Sequence, residues 1–281
     1  MLVDLHLHTY YSDSTRSPEE LVLAAKAAGI GLISVCDHNT TEAYPELISA
    51  CERHGIKLIS GVEIDCMYNG YWLHLLAYGA DFRDNKLNAV LSDNRDGMEN
   101  MSVELIYKMS GDHEQLSLEE YKHFERNINN GGWKGLDYLR SKGLASDYFD
   151  YLTCISKYRI APPDCFPDAK ELCDIIHNAG GYAVLAHPLN YFSKDDEELR
   201  AELQDVITLG IDGIECYCPS HDEETIKAYI EFCRENDLII TAGSDDHGDF
   251  LDCIESVTYK IGVIKVDIMD LNLKGLINHD T

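Results

Sequence analysis

Lysine and arginine are scarce in this chain: 23 stand against 50 aspartates and glutamates, for a formal net charge of −27 over 281 residues. No dense Lys/Arg block interrupts the acidic background. A field of that sign repels phosphate backbones at long range, so a long nucleic acid is disfavoured as a partner. No apolar run approaches the length of a membrane span, and no membrane partner is expected. The opening MLVDLHLHTYYSDS lacks a basic segment followed by an apolar stretch, so it does not read as a secretory signal. Ten cysteines are scattered without a single C-x-x-C pair. Buried free thiols in a reducing, cytoplasmic setting are expected, with Cys216 and Cys218 packing in the core. There is no internal repeat and no low-complexity tract.

What is present is a rhythm of strands and helices. Val3 to His8 alternates as a strand. Ser17-Pro18-Glu19-Glu20 then opens a helix, with Ser17 as N-cap, that stops at Gly29. Strands are expected at Gly31–Cys36, Ile56–Ser60 and Trp72–Ala77, with a helix from Thr41 to near His54-Gly55. The rhythm breaks after Asp81: residues 82–165 are polar and helix-like and hold no buried-strand run. It returns with helices at about 168–179, 195–209 and 222–236, and strands at Tyr182–Ala186, Gly213–Tyr217 and Leu238–Ala242. The pattern predicts a parallel α/β domain built from 1–81 and 166–281, carrying 82–165 as a mainly helical inserted subdomain.

The polar residues fall in a pattern. His6 and His8 end the first strand, Asp37 and His38 the second, Glu63 the third and His187 the strand AVLAH. His74 lies in WLHLLAY, Glu215 in GIECY, and Asp245 and His247 follow IITAG. In α/β barrels and open parallel sheets, side chains at the carboxyl ends of strands converge on one mouth. Residues two apart on a strand share a face, so Asp4, His6 and His8 form one row. Two imidazoles so spaced can share a transition-metal ion, and Asp4, deeper along the strand, is expected to orient one of them.

The segments DLHLHT with Ser12-Asp13, CDHNT at 36–40, GVEI at 61–64, HLLAYG at 74–79, LAHP at 185–188, GIECY at 213–217 and GSDDHG at 243–248 resemble the PHP (polymerase and histidinol phosphatase) family. They span nearly the whole chain outside the insertion. The resemblance implies a distorted seven-stranded (β/α) barrel with three divalent metal ions at its mouth, manganese, zinc or iron. It implies His6, His8, Glu63 and Asp245 as ligands of one metal, Glu63 with His74 and His187 of a second, and Asp13, His38 and His247 of the third. Catalytic roles are expected for Glu63, His247 and Asp37, the last in proton transfer or in support of the ligands. Tyr10-Tyr11 replaces the small residues usual before Ser12-Asp13, so the pocket floor there is expected to differ. Glu215 reads either as barrel core or as support for the ligands.

The implied reaction is phosphomonoester hydrolysis by metal-activated hydroxide on a small phosphorylated substrate, a nucleotide above all. The 3'-phosphate of nucleoside 3',5'-bisphosphates and the ends of short oligonucleotides are the expected targets. Arg16, Lys157 and Arg159 are the cations expected to hold phosphate. Histidinol phosphate or another small sugar or alcohol phosphate is the alternative substrate. Amide hydrolysis is a competing chemistry, although no Lys sits at these strand ends to bridge metals. A non-enzymatic metal-binding module is a further reading.

Overall fold

The first strand, β1 (Leu2–Leu7), is buried on both faces, which places it inside a layered α/β structure rather than on a half-solvated sheet. The structure is a computed structural model that describes residues 1–192 and 196–276. After β1 come helix α1 (Pro18–Ala27), strand β2 (Ile30–Val35), helix α2 (Tyr44–His54) and strands β3 (Lys57–Tyr68) and β4 (Tyr71–Tyr78). Helices α3 (Asn85–Ser110), α4 (Leu118–His123), α5 (Lys134–Ser141) and α6 (Tyr148–Lys157) follow without an intervening strand. The alternation resumes with α7 (Ala169–Asn178), β5 (Tyr182–Leu185), α8 (Asp196–Ile207), β6 (Gly213–Tyr217), α9 (Glu223–Glu235), β7 (Ile239–Ala242) and the two-residue β8 (Val266–Asp267). The helix expected over 195–209 corresponds to α8; position 195 and the last five residues of the expected barrel segment lie outside the described residues.

Local sequence sets these boundaries. Ser17 caps α1 in a reciprocal box: its hydroxyl accepts from Glu20 N while the Glu20 carboxylate accepts from Ser17 N. Gly55 ends α2 in the left-handed region at φ 70°, where a side chain is disfavoured.

The described strands form one sheet in the order β7-β6-β5-β4-β3-β2-β1-β8. Beyond β7, a parallel bridge between Leu7 and Asp246 brings the far edge back to β1, so the sheet is a nearly closed barrel. Hydrogen bonds from His8 N to Asp246 O and from Asp245 N to His6 O hold that seam. Seven strands, β1 to β7, follow one another around the sheet as expected, and the two-residue β8 adds an eighth, antiparallel to β1.

The expectation of uniformly parallel strands also needs correction. β4 runs antiparallel to both β3 and β5. The cause is the two-residue turn Asn69-Gly70, with φ values of 49° and 84°, which joins Tyr68 to Tyr71 as a tight hairpin. Asn-Gly is the strongest short-range hairpin signal, and it extends β3 well past Ser60. Glu63 therefore sits inside a strand rather than at its end.

Val3, Leu5, Leu76, Tyr78, Val184, Ile239 and Ala242 fill one buried cluster with residues from successive strands, and α1 and α2 cover another with Leu21, Val22 and Leu47. Helices α3 to α6 bury a core of their own around Leu105, Ile106, Tyr121, Leu136 and Tyr151. Phe250, from the loop after β7, belongs to that core and ties the helices to the barrel mouth.

Gly243 marks how tightly the mouth is packed. A Cβ there would lie 2.2 Å from His6 Cβ and 2.5 Å from Glu215 Oε1. Gly243→Ala is expected to destabilise the metal-free protein by about 1–3 kcal/mol, the usual cost of overpacking. Urea unfolding monitored by circular dichroism measures it; an unchanged midpoint would contradict this packing.

Candidate metal centre

Glu63 is the hub of the barrel mouth. It is fully buried, and five imidazoles surround it. Its Oε2 lies 3.1 Å from His6 Nε2, 3.3 Å from His8 Nε2 and 3.4 Å from His38 Nδ1. Its Oε1 lies 2.9 Å from His74 Nδ1 and 3.0 Å from His187 Nε2. The two oxygens thus face two different sets of nitrogens, so Glu63 could contribute to two cation groups.

Among the described residues, four groups of His and carboxylate side chains have donor atoms within 4.8 Å of one another. His6, His8, Glu63 and Asp245 form one; Glu63, His74 and His187 form a second; His8, Asp13, His38 and His247 form a third. All nine ligand candidates expected from the sequence are in these three groups. The fourth, His38, Asp65 and His74, includes a carboxylate that the sequence reading missed.

The donor atoms fit divalent cations. His8 Nδ1 and His74 Nδ1 are buried and make no hydrogen bond, yet carboxylate oxygens lie 3.8 Å and 2.9 Å away. An ion between such atoms satisfies both. The mixed nitrogen and oxygen set suits manganese, zinc or iron better than magnesium or calcium.

The electrostatics agree. Burial alone would lower the pKa of His8, but hydrogen bonds to Asp245 and Glu63 outweigh it and carry it up to about 10. His74 behaves likewise, with burial opposed by Glu63 and Asp65 and a pKa pushed up to about 10. Burial would raise Glu63, yet the surrounding His38, His6 and His74 hold it well below the usual carboxylate range. Asp13 and Asp245 are also held low against burial, Asp13 chiefly by His247 and His38, Asp245 by His6 and His247. His38 goes the other way, because burial outweighs Glu63 and Asp13.

Backbone geometry serves the same residues. Asn39, His187 and Asp245 all adopt positive φ, at 52°, 27° and 53°. Non-glycine residues held there store strain, and such strain clusters at functional sites.

The residues behind the ligands differ from expectation in one respect. Glu215, not Asp4, orients His6: its Oε1 lies 3.0 Å from His6 Nδ1, and its Oε2 accepts from His187 N at 2.9 Å. Asp4 instead accepts from Ser244 N at 2.9 Å, pinning the chain that leads to Asp245. Cys216 packs in the core beside Cys233.

Several expected functional residues lie elsewhere. Asp37 accepts from Thr9 N, Thr9 Oγ1 and Ser12 Oγ, so both its oxygens are engaged in holding the loop that carries Asp13. It is not among the residues lining the cleft, and the geometry gives it an anchoring place rather than access to substrate. Arg16 Nε lies 3.3 Å from the buried Asp246 and balances its charge. Lys157 is exposed on a separate depression with His113 and Arg140, and Arg159 is exposed beside it. Neither is among the residues lining the cleft over the metal groups. Tyr11 does reach the cleft, and its hydroxyl donates to Glu46.

The cleft above the ligands has a volume of about 790 Å³. Its floor holds His38, Glu63, His74, His187, Asp245 and His247. Its walls carry Trp72, Trp133, Tyr148, Tyr151 and Phe250. Arg95, on α3, is the single lysine or arginine among its described lining residues, and its Nη1 donates to Asn39 O at 2.6 Å. No sequence signal singled it out, because its role depends on how α3 lies across the mouth.

A barrel whose mouth gathers imidazoles and carboxylates around an aromatic cleft is the architecture of a metal-dependent hydrolase. The chain belongs to the PHP domain family, whose model matches residues 4–208. It is similar to a 5'-3' exoribonuclease of Haemophilus influenzae, 29% identical over 268 residues that cover 90% of this chain and 96% of that one. It is also similar to a 3',5'-nucleoside bisphosphate phosphatase of Chromobacterium violaceum, 24% identical over 261 residues and 87% of each chain. A crystal structure of a putative metal-dependent phosphoesterase from Bifidobacterium adolescentis shares the fold, with a TM-score of 0.70 over 88% of this chain and 87% of that one, at 24% identity. The chain is thus a PHP-domain metal-dependent phosphoesterase that acts on phosphoester bonds. No described helix is long and apolar enough to cross a membrane.

Two expectations follow. The His6→Ala/His8→Ala protein should lose metal by elemental analysis and lose phosphatase activity; unchanged metal content would remove the first group as a site. Metal must also displace protons from His8 and His74. With folded pKa values near 10, above the ordinary imidazole value, these groups stabilise the metal-free protein fully below pH of about 6.5. That stabilisation fades as pH rises through about 10. Manganese should therefore bind more tightly as pH rises and release protons into the buffer. Calorimetry in two buffers of different ionisation enthalpy reads that release, and its absence would contradict the assignment.

Proposed function

We propose that this enzyme removes the 3'-phosphate of nucleoside 3',5'-bisphosphates, or acts on the ends of short oligonucleotides, with three divalent cations in the ligand groups described above. The carrying observation is the pairing of a histidine–carboxylate floor with an aromatic wall in a cleft of about 790 Å³, a volume suited to one small ligand. When bound, divalent cations in such groups supply positive charge against a phosphoryl group and lower the pKa of water.

The chain's own residues divide the remaining work. Glu63, His6, His8 and Asp245 would hold one cation, Glu63 with His74 and His187 a second, and Asp13, His38 and His247 a third, with Glu63 common to two of the groups. Trp133, Tyr148 and Phe250 offer apolar and aromatic surface for a nucleobase. Arg95 offers the guanidinium for a second phosphate, in place of Arg16, Lys157 and Arg159. The names of the two similar enzymes, one a bisphosphate phosphatase and one an exoribonuclease, support a nucleotide substrate without choosing between the two.

The test is a comparison of rates with manganese added. Phosphate release should be faster from 3',5'-bisphosphates than from simple 5'-monophosphates. Equal or reversed rates would reject the nucleotide reading and favour histidinol phosphate or another sugar phosphate. Arg95→Ala should raise KM for the bisphosphate about tenfold or more, in line with loss of a charged hydrogen bond of ~1.5–3 kcal/mol, and affect a small aryl phosphate less, through the lost bond to Asn39 O alone.

A further inference from the structure

Asp65 belongs to none of the three ligand groups assigned above, yet it touches the ligand His74. The two are cross-strand neighbours on the β3–β4 hairpin. Asp65 Oδ1 lies 3.0 Å from His74 Nε2, while His74 Nδ1 faces Glu63 Oε1 at 2.9 Å. The imidazole is thus held at one nitrogen by a carboxylate and presents the other to the metal group. Asp65 is itself tightly held. Its Oδ1 accepts from Trp72 Nε1 at 2.7 Å, and its Oδ2 accepts from Asn39 Nδ2. With both oxygens engaged, it is suited to orienting an imidazole rather than to entering a coordination sphere.

The chain of contacts continues into the insertion. Asn94, fully buried on α3, donates from Nδ2 to Asn39 Oδ1 at 2.9 Å and to Asp65 O at 2.8 Å. Arg95, the next residue, donates to Asn39 O. Asn39 follows the ligand His38 directly and sits at positive φ, a conformation asparagine tolerates and these hydrogen bonds fix.

We infer that Asp65 is a positioning residue for His74, and that α3 of the insertion, through Asn94 and Asn39, holds it in place. The insertion is then part of the second metal group's support as well as a wall of the cleft. The inference rests on the proposed assignment of Glu63, His74 and His187 to a cation. Carboxylates behind a ligating imidazole fix its tautomer and orientation, and losing one costs about 10- to 100-fold in metal affinity.

The experiment is a cobalt titration of metal-free wild type, Asp65→Asn and Asn94→Ala, read by visible absorption and by elemental analysis. Wild type is the control for the assignment itself: if His187→Ala does not remove a cobalt equivalent from it, the assignment fails, not this inference. Given that control, Asp65→Asn should weaken one equivalent about 10- to 100-fold, alter its cobalt spectrum and leave the others unchanged. Asn94→Ala should weaken the same equivalent to a smaller degree. Wild-type affinity and spectrum in Asp65→Asn would overturn the positioning role. If that variant fails to fold, Asn94→Ala decides alone: an unchanged equivalent would overturn the link to α3.

Discussion

The structure depends on a carboxylate that could not be buried alone. Glu63 has no solvent contact, and an uncompensated charge at such depth costs several kcal/mol even after relaxation. Compensation comes from five imidazoles within 3.4 Å, drawn from β1, the chain just after it, the loop after β2, β4 and the loop after β5. No single helix or hairpin brings together side chains so far apart in sequence. A curved sheet with its strand ends converging does. The demand for a barrel therefore comes from the site as much as from the apolar core.

The imidazoles need support in turn. Glu215 clamps both His6 and the backbone of His187, so one buried acid from β6 sets two ligands from different strands. Asp37 and Arg126 fix the loop that carries Asp13, the first through Thr9 and Ser12, the second through the carbonyls of Tyr10 and Ser12. Gly243 lets the chain pass close beside His6 where any side chain would collide. The positive-φ backbones of His187 and Asp245 are held by bonds from their own N–H groups, to Glu215 and to His6 O respectively.

How much of this was legible follows from whether a signal was local. The Ser17 cap, the stop at Gly55 and the apolar strand runs are local, and the elements lie within a few residues of where the pattern puts them. Most of the ligand candidates were legible as His, Asp or Glu in or just after strands, while the set as a whole, with Asp13, came from the family resemblance, and all nine fall in the three groups. Reading β3 as ending at Ser60 hid Asp65, although Asn69-Gly70 was a hairpin signal and Asp65 shares a strand face with Glu63. Asp4 was credited with orienting an imidazole because it shares the row of His6, but register alone does not say which neighbouring strand reaches a ring nitrogen. Lys157 and Arg159 were chosen for charge, and only tertiary packing reveals that Lys157, at the end of α6, and Arg159, just past it, are exposed away from the cleft. Arg95 was invisible for the converse reason.

On the proposed reading, the charge balance has a consequence for substrate length. The chain carries a net −27, and Arg95 is the one lysine or arginine among the described residues lining the cleft. Screening limits the reach of the surface field to about 8 Å at physiological ionic strength. Inside the cleft, bound cations and Arg95 govern a phosphate nearby. A longer polyanion would extend its further phosphates over a protein whose net charge is −27. Affinity per added phosphate should then fall once the first two are accommodated, which favours a bisphosphate or a short oligonucleotide without any steric gate. The aromatic wall adds contact to the first nucleoside, so binding energy concentrates at the terminal unit. On that reading, selectivity for small substrates would follow from where positive charge is provided, at the ligand groups once loaded and at one guanidinium, as much as from the shape of the cleft.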